Sequence, residues 1–186
     1  MSESNHQGVA DKHIWLVLLG IIVLFSIIVL YARNVGISRQ EEQAKTPIVA
    51  RYTNYAYGIG LRYPPEWRPV GGAVYDTYEG TDGFFSISAG GTGTAGLDDM
   101  VKAEIGGQKK YGSEPTVLDL RIDGRGAKLI MPSPDQNPAM KGQAALIVRY
   151  PKPITIGPNT YGFFVFWADR AHIQDIASSI TFVNKQ

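Results

Sequence analysis

The alternation of apolar and polar positions divides the chain into two unlike parts. Ile14 to Ala32 is a run of nineteen residues without a formal charge. At about 1.5 Å of rise per residue it covers roughly 28 Å as a helix, close to the ~30 Å hydrocarbon core of a bilayer. Trp15 and Tyr31 stand near its ends, where amphipathic rings favour the headgroup region. The run therefore predicts a transmembrane helix over 14–32, with a short polar tail over 1–13 before it and a polar linker over 33–50 after it. It is longer than the ~7–15 residues of a signal-peptide core, and the small-x-small site Gly36-Ile37-Ser38 lies beyond its apolar end. An uncleaved anchor touching the lipid bilayer is the expectation.

From Arg51 the period shortens. Tyr52, Tyr55, Tyr57 and Tyr63 crowd a segment that ends in Tyr63-Pro64-Pro65-Glu66-Trp67, and aromatics among turn residues predict short strands, one of them ended by the two prolines. Ala73–Glu79 and Phe84–Ala89 predict a hairpin around Gly80-Thr81-Asp82-Gly83. Leu97, Met100, Val101 and Ile105 fall on one face of a helix predicted over Leu97–Lys110, with Asp98 and Asp99 in its first turn and Lys109 and Lys110 near its end. Thr116–Met131 is a hairpin centred on Asp123-Gly124, whose two-residue turn sets Leu120 opposite Ala127, Asp119 opposite Lys128 and Leu118 opposite Leu129. Pro132–Gly142 and Pro151–Thr160 read as loops because of their prolines. Ala144–Tyr150 and Tyr161–Ala168 read as buried strands. A last helix is predicted after an N-cap at Asp169, with Ile173, Ile176, Ala177 and Ile180 as its stripe. Six or seven hairpin-connected strands with two amphipathic helices describe the α+β class, an antiparallel β-sheet covered by helices, in one domain over 51–186.

Charge narrows the function classes. Four of the eighteen Lys and Arg and four of the seventeen Asp and Glu precede Pro47, leaving fourteen and thirteen in the domain. So balanced a domain has no basic stripe for nucleic acid and no polybasic patch for anionic lipid. The chain has no cysteine, which removes disulfides, thiolate nucleophiles and cysteine metal sites.

The segment Tyr57-Gly58-Ile59-Gly60-Leu61-Arg62-Tyr63-Pro64-Pro65-Glu66-Trp67 resembles the opening Tyr-x-x-x-Gly-aliphatic-x-Tyr-Pro-x-x-Trp pattern of PsbP-like domains, found also in many exported bacterial proteins. The hairpin Leu120–Ala127 and the Ser179-Ile180-Thr181-Phe182 end are similar in kind. The resemblance covers about Arg51 to Val183. It implies an antiparallel sheet between helices, a PsbP-like α/β/α sandwich, in a non-enzymatic accessory or assembly module outside the cytoplasm. The flanking charges point the other way, since Lys12 precedes the apolar run and Arg33, Arg39 and Lys45 follow it, which by the Lys/Arg count places the domain inside. The expectation adopted follows the resemblance: a single-pass membrane protein with its C-terminal domain outside, held beside a protein partner.

The residues offer three chemistries, each with a plainer alternative. Gly91-Thr92-Gly93-Thr94-Ala95-Gly96 fits G-x-G-x-x-G between a strand and a helix, the context of a dinucleotide loop. Asp98 and Asp99 would oppose a phosphate there, and the strand Phe84–Ser88 alternates like an antiparallel one. Asp98, Asp99 and Glu104 are better read as helix charges than as a metal set, because adjacent aspartates diverge by about 100° on a helix. His172, the one histidine of the domain, lies three residues from Asp169 and from Asp175, a spacing that suits a base and its orienter. No nucleophile is tied to it. The expectation is therefore a non-catalytic module with no cofactor and no metal. Its alternatives are a small hydrolase-like or nucleotide-binding enzyme using His172 or the 91–96 loop, and a sensor domain of an envelope signalling complex. Tyr63 and Trp67 from the aromatic segment, and Asn137, Met140 and Pro153 from the proline-bearing loops, are the candidate partner or ligand contacts.

Overall fold

The computed structural model describes residues 49–71, 75–106 and 109–183. The expected tail, anchor and most of the linker lie outside them. Among the described residues no helix is long and apolar enough to cross a membrane.

The chain runs β1 (Ala50–Asn54), β2 (Ile59–Tyr63), β3 (Arg68–Pro69), β4 (Asp76–Glu79), β5 (Phe84–Gly90), α1 (Leu97–Ile105), β6 (Thr116–Ile122) and β7 (Arg125–Met131). It continues with a 3₁₀ turn at Pro138–Met140, β8 (Gln143–Ile156), β9 (Asn159–Asp169), α2 (Ile173–Ser178) and β10 (Thr181–Phe182). Seven strands form one antiparallel sheet in the order β3-β4-β5-β9-β8-β7-β6, and three form a second in the order β1-β2-β10.

The large sheet is covered on both faces, and its central strands show why. In β8, Ala144, Leu146 and Val148 face one core while Ala145 and Ile147 face the other; in β9, Phe164 and Phe166 face the first and Phe163 and Val165 the second. A strand wet on one side alternates, whereas one buried on both sides is apolar throughout. The first core lies between this sheet, the inner face of the small sheet (Tyr52, Ile59, Leu61) and α2 with Ile180 just beyond it (Ile173, Ile176, Ala177, Ile180). The second lies under α1, where Val101 is buried and Leu97, Met100 and Ile105 pack beside it. Each fully buried Leu, Ile or Phe contributes about 1.5–3 kcal/mol.

The antiparallel α+β architecture matches the expected class, with a difference in the layers. One face carries a single helix; the other carries a short helix and a three-stranded sheet. The hairpin at Asp123-Gly124 has the register its turn dictates: Leu118 faces Leu129, Asp119 faces Lys128 and Leu120 faces Ala127, and Lys128 Nζ lies 2.8 Å from Asp119 Oδ1. Asp123 and Gly124 both take positive φ, 46° and 73°, as the turn requires. Three expectations need correction. The first helix ends at Ile105, with Gly106 as its C-cap, so Lys109 and Lys110 lie outside its last turn. The segment Pro151–Thr160 is no loop: β8 runs through it and pairs again with β9 from Ile154 to Tyr161, after a bulge that takes up Pro151 to Pro153. Proline cannot donate to a ladder, and a bulge is where a strand tolerates it. The last helix begins at Ile173, one turn after Asp169, whose Oδ1 accepts from the N–H groups of Ala171 and His172 in the intervening turn.

Candidate functional site

The Tyr-Pro-Pro-Glu-Trp segment turns Trp67 inward, its N–H donating to Pro64 O at 3.2 Å. The indole is 1% exposed and lies against Phe85 and His172, with centroids 6.2 and 5.0 Å away. Trp67 is thus core, and its ring offers no surface to a partner. Tyr63 is half-buried against Tyr78 and Phe85. The hairpin glycines make room for the indole, since a Cβ on Gly80 would stand 2.1 Å from Trp67 Cδ1 and one on Gly83 2.7 Å from Cζ2.

His172 is brought to this place, between two carboxylates. Its Nδ1 is 2.8 Å from Asp169 Oδ1, and its Nε2 is 3.7 Å from Asp82 Oδ2. Asp169 is buried; its Oδ2 accepts from Phe84 N–H. Asp82 Oδ1 accepts from Trp67 Nε1 at 2.8 Å. The cluster ties the β4–β5 turn to the end of β9. Its histidine meets carboxylates on both nitrogens and no hydroxyl among the described residues, an arrangement that fastens a hairpin without activating a nucleophile.

The 91–96 loop joins an antiparallel strand to α1, so the parallel βαβ setting of a dinucleotide loop is absent from it. Glycine serves close packing there instead, since a Cβ on Gly91 would stand 2.4 Å from Met100 Sδ. Gly162 N–H donates to Gly91 O, and a Cβ on Gly162 would come 2.5 Å from Thr92 O. Asp98 reaches Lys128 at 3.1 Å, while Glu104 turns into the second core; among the described residues no His, Cys, Asp and Glu group is placed to hold a metal.

The loop Pro132–Gly142 is tied down. Ser133 is buried and its Oγ lies 2.5 Å from Asp135 Oδ1. Asp135 also accepts from Ser113 N–H at 3.1 Å, and Gln136 Nε2 donates to the carbonyls of Lys110 and Gln143. Met140, a candidate contact, is half-buried; Asn137 is exposed, and its side chain caps the 3₁₀ turn through Ala139 N–H. The hydrogen bonds from Ser133 and Ser113 hold the Asp135 carboxyl at about 2. A depressed carboxylate stabilises the fold above its unfolded value, near 4, and that contribution is lost as pH falls through about 2. Acid unfolding monitored by circular dichroism should show wild type losing more stability than Asp135→Asn between about pH 4 and pH 2, and parallel curves would refute the assignment.

Of the residues expected to make contacts, Pro153 lines an open groove, and it does so with residues that sequence spacing could not join. This groove, about 410 Å³, is formed by the β1–β2 turn (Tyr55, Gly58), Arg125 at the start of β7, the β8 bulge from Tyr150 to Ile154, and Phe182 of β10. Tyr55 is 58% exposed beside it. Arg125 and Lys152 give it positive charge, and among the described residues no carboxylate lines it. Tyr150 is 4% exposed and packs on Phe164 and Phe182. Its hydroxyl is buried with no hydrogen-bond partner among the described residues. Burial, and then the neighbouring Tyr57, push the phenol up from its ordinary value, so it is a neutral donor.

No protein-family model matches the chain, and no curated protein matches it. Among solved structures it is similar to the solution structure of cyanobacterial PsbP (CyanoP) from Synechocystis sp. PCC 6803, at 17% identity over 73% of this chain and 93% of that one, with a TM-score of 0.39. Nothing about ligands or partners passes from that protein to this one.

Proposed function

We propose that the protein is a non-catalytic accessory module, tethered to a membrane by residues 14–32 with its domain outside the cytoplasm, and that its β8-bulge groove holds a protein partner. The observation that carries this reading is the lining of the groove, where two cations stand among apolar side chains. The Tyr150 hydroxyl, buried without an acceptor among the described residues, costs about 1–3 kcal/mol of stability. Arg125 and Lys152 favour an acidic segment, Tyr55 and Phe182 supply apolar contact, and Pro151 and Pro153 stiffen the wall without adding donors.

The test separates fold from binding. Tyr150→Phe removes the unsatisfied hydroxyl and keeps the ring, so the domain should be as stable as wild type or more so in thermal unfolding. A photo-cross-linker at Pro153 in intact cells should capture a partner, and capture should fall about three- to tenfold when Arg125→Gln/Lys152→Gln is added, the equivalent of two lost ion pairs at an exposed rim. Equal capture with and without the two cations would defeat the groove. Protease added to intact cells should remove a C-terminal tag, and a tag that survives until lysis would defeat the outside placement.

A further inference from the structure

We infer that the outer face of the small sheet is a binding site for a phosphate-type oxyanion, distinct from the groove and independent of the partner reading. The register of β1 and β2 sets Arg51 directly opposite Arg62 and Thr53 opposite Gly60, while Thr181 of β10 lies against Gly60 from the other side. Residues alternate across a strand, and Tyr52, Ile59 and Leu61 point into the core. Arg51, Arg62, Thr53 and Thr181 therefore share the outer face. They line a hollow of about 400 Å³, with Ser178 and Ser179 as its far rim.

Three features point to an anion. Like charges directly opposite one another on a sheet repel, and among the described residues neither guanidinium has a carboxylate within ion-pair distance. Among the described residues no Asp or Glu lines the hollow. Two forked guanidiniums side by side match the several oxygens of a dianion, each able to bind two of them. The floor is shaped for it as well, because Gly60 has no side chain between the two threonines. A Cβ there would stand 3.4 Å from Thr181 Oγ1 and 3.8 Å from Thr53 Oγ1, the space the hollow occupies. The serines act as wall and not as donors, since Ser178 Oγ donates to Asp175 O and Ser179 Oγ to Ile176 O. The oxyanion is a free phosphate group or the phosphate of a lipid headgroup; the chemistry recognised is the same.

Full-length protein in maltoside micelles, titrated with inorganic phosphate at constant ionic strength, should show a saturable rise in melting temperature. Arg51→Gln/Arg62→Gln should raise the half-saturating phosphate concentration at least tenfold, while Lys102→Gln, at an exposed cation on α1, leaves it unchanged. Both arginines are exposed, so the double variant should melt no lower than wild type without phosphate. Gly60→Ala keeps both charges and only fills the floor, and should weaken binding severalfold. Reconstitution into phosphatidylcholine vesicles with and without phosphatidic acid identifies the source: a phosphate response that vanishes with phosphatidic acid assigns a lipid headgroup, and one that persists assigns a free phosphate. An equal response in wild type and the double arginine variant would be the general salting effect of phosphate on any fold, and would overturn the site.

Discussion

Replacing Trp67 with alanine should destabilise the domain by about 3–5 kcal/mol, the range for removing a large buried ring. The indole is 1% exposed and fills the space between Phe85, His172 and the glycines of the β4–β5 turn. For a domain of this size such a loss lowers the melting temperature by roughly 10–20 °C, and it is a large part of an ordinary total stability of about 5–15 kcal/mol. Trp67→Phe keeps most of the apolar volume and loses the N–H to Asp82. Because Asp82 is half-exposed water replaces that donor, and the cost should be nearer 1 kcal/mol. Gly80→Ala supplies the complementary measurement. Its new methyl would meet the indole at 2.1 Å, an overpacking worth about 1–3 kcal/mol, and that penalty should disappear once Trp67 is already alanine. Urea unfolding of the two single variants and the double one gives the cycle. Additive losses, or a Trp67→Ala cost below about 1 kcal/mol, would show that the indole does not occupy this slot.

What could be read from the chain and what could not divides along sequence separation. The Asp123-Gly124 hairpin was legible to the residue, because a two-residue turn and a side-chain period of two leave one register. The buried β8 and β9 cores were legible as apolar runs. The proline-bearing arm was not, since three prolines between Tyr150 and Thr160 look like a loop unless a bulge is known to absorb two of them. Trp67 was legible as an aromatic and illegible as core, because the two glycines that admit it follow thirteen and sixteen residues later. The candidate sites were the least legible. Pro153 was noticed for lying in a loop, yet its groove takes walls from β1, β7, β8 and β10. The Arg51–Arg62 pair required the register of two strands joined by a turn whose length no motif announces. Tyr150 carried no signal at all, since an unpartnered hydroxyl is a property of surroundings and not of sequence.

The same contrast governs the acidic residues of α1, where the second large effect is expected. Asp98, Asp99 and Glu104 look alike in sequence, and burial separates them. Glu104 Oε1 accepts from Lys110 Nζ at 2.7 Å, Tyr111 Oη at 2.5 Å and Trp167 Nε1 at 2.9 Å. Tyr111 is 1% exposed; burial first, and then the Glu104 carboxylate, push its phenol upward, which keeps it a donor. Glu104→Ala leaves the Tyr111 hydroxyl and the Trp167 N–H without their acceptor inside the second core, and should cost about 2–4 kcal/mol. Glu104→Gln retains an acceptor oxygen for them, exchanges charge-assisted bonds for neutral ones and should cost about 1 kcal/mol. Asp98→Asn touches only an exposed contact with Lys128 and should change stability by less than about 0.5 kcal/mol. Denaturant unfolding orders the three variants. If Glu104→Ala were no worse than Asp98→Asn, the helix would be held by its apolar face alone and the carboxylate would be incidental. The structure favours the opposite, because helix α1 has only Val101 fully buried, and one nonameric helix with a single buried side chain needs a second point of attachment to keep its place on the sheet.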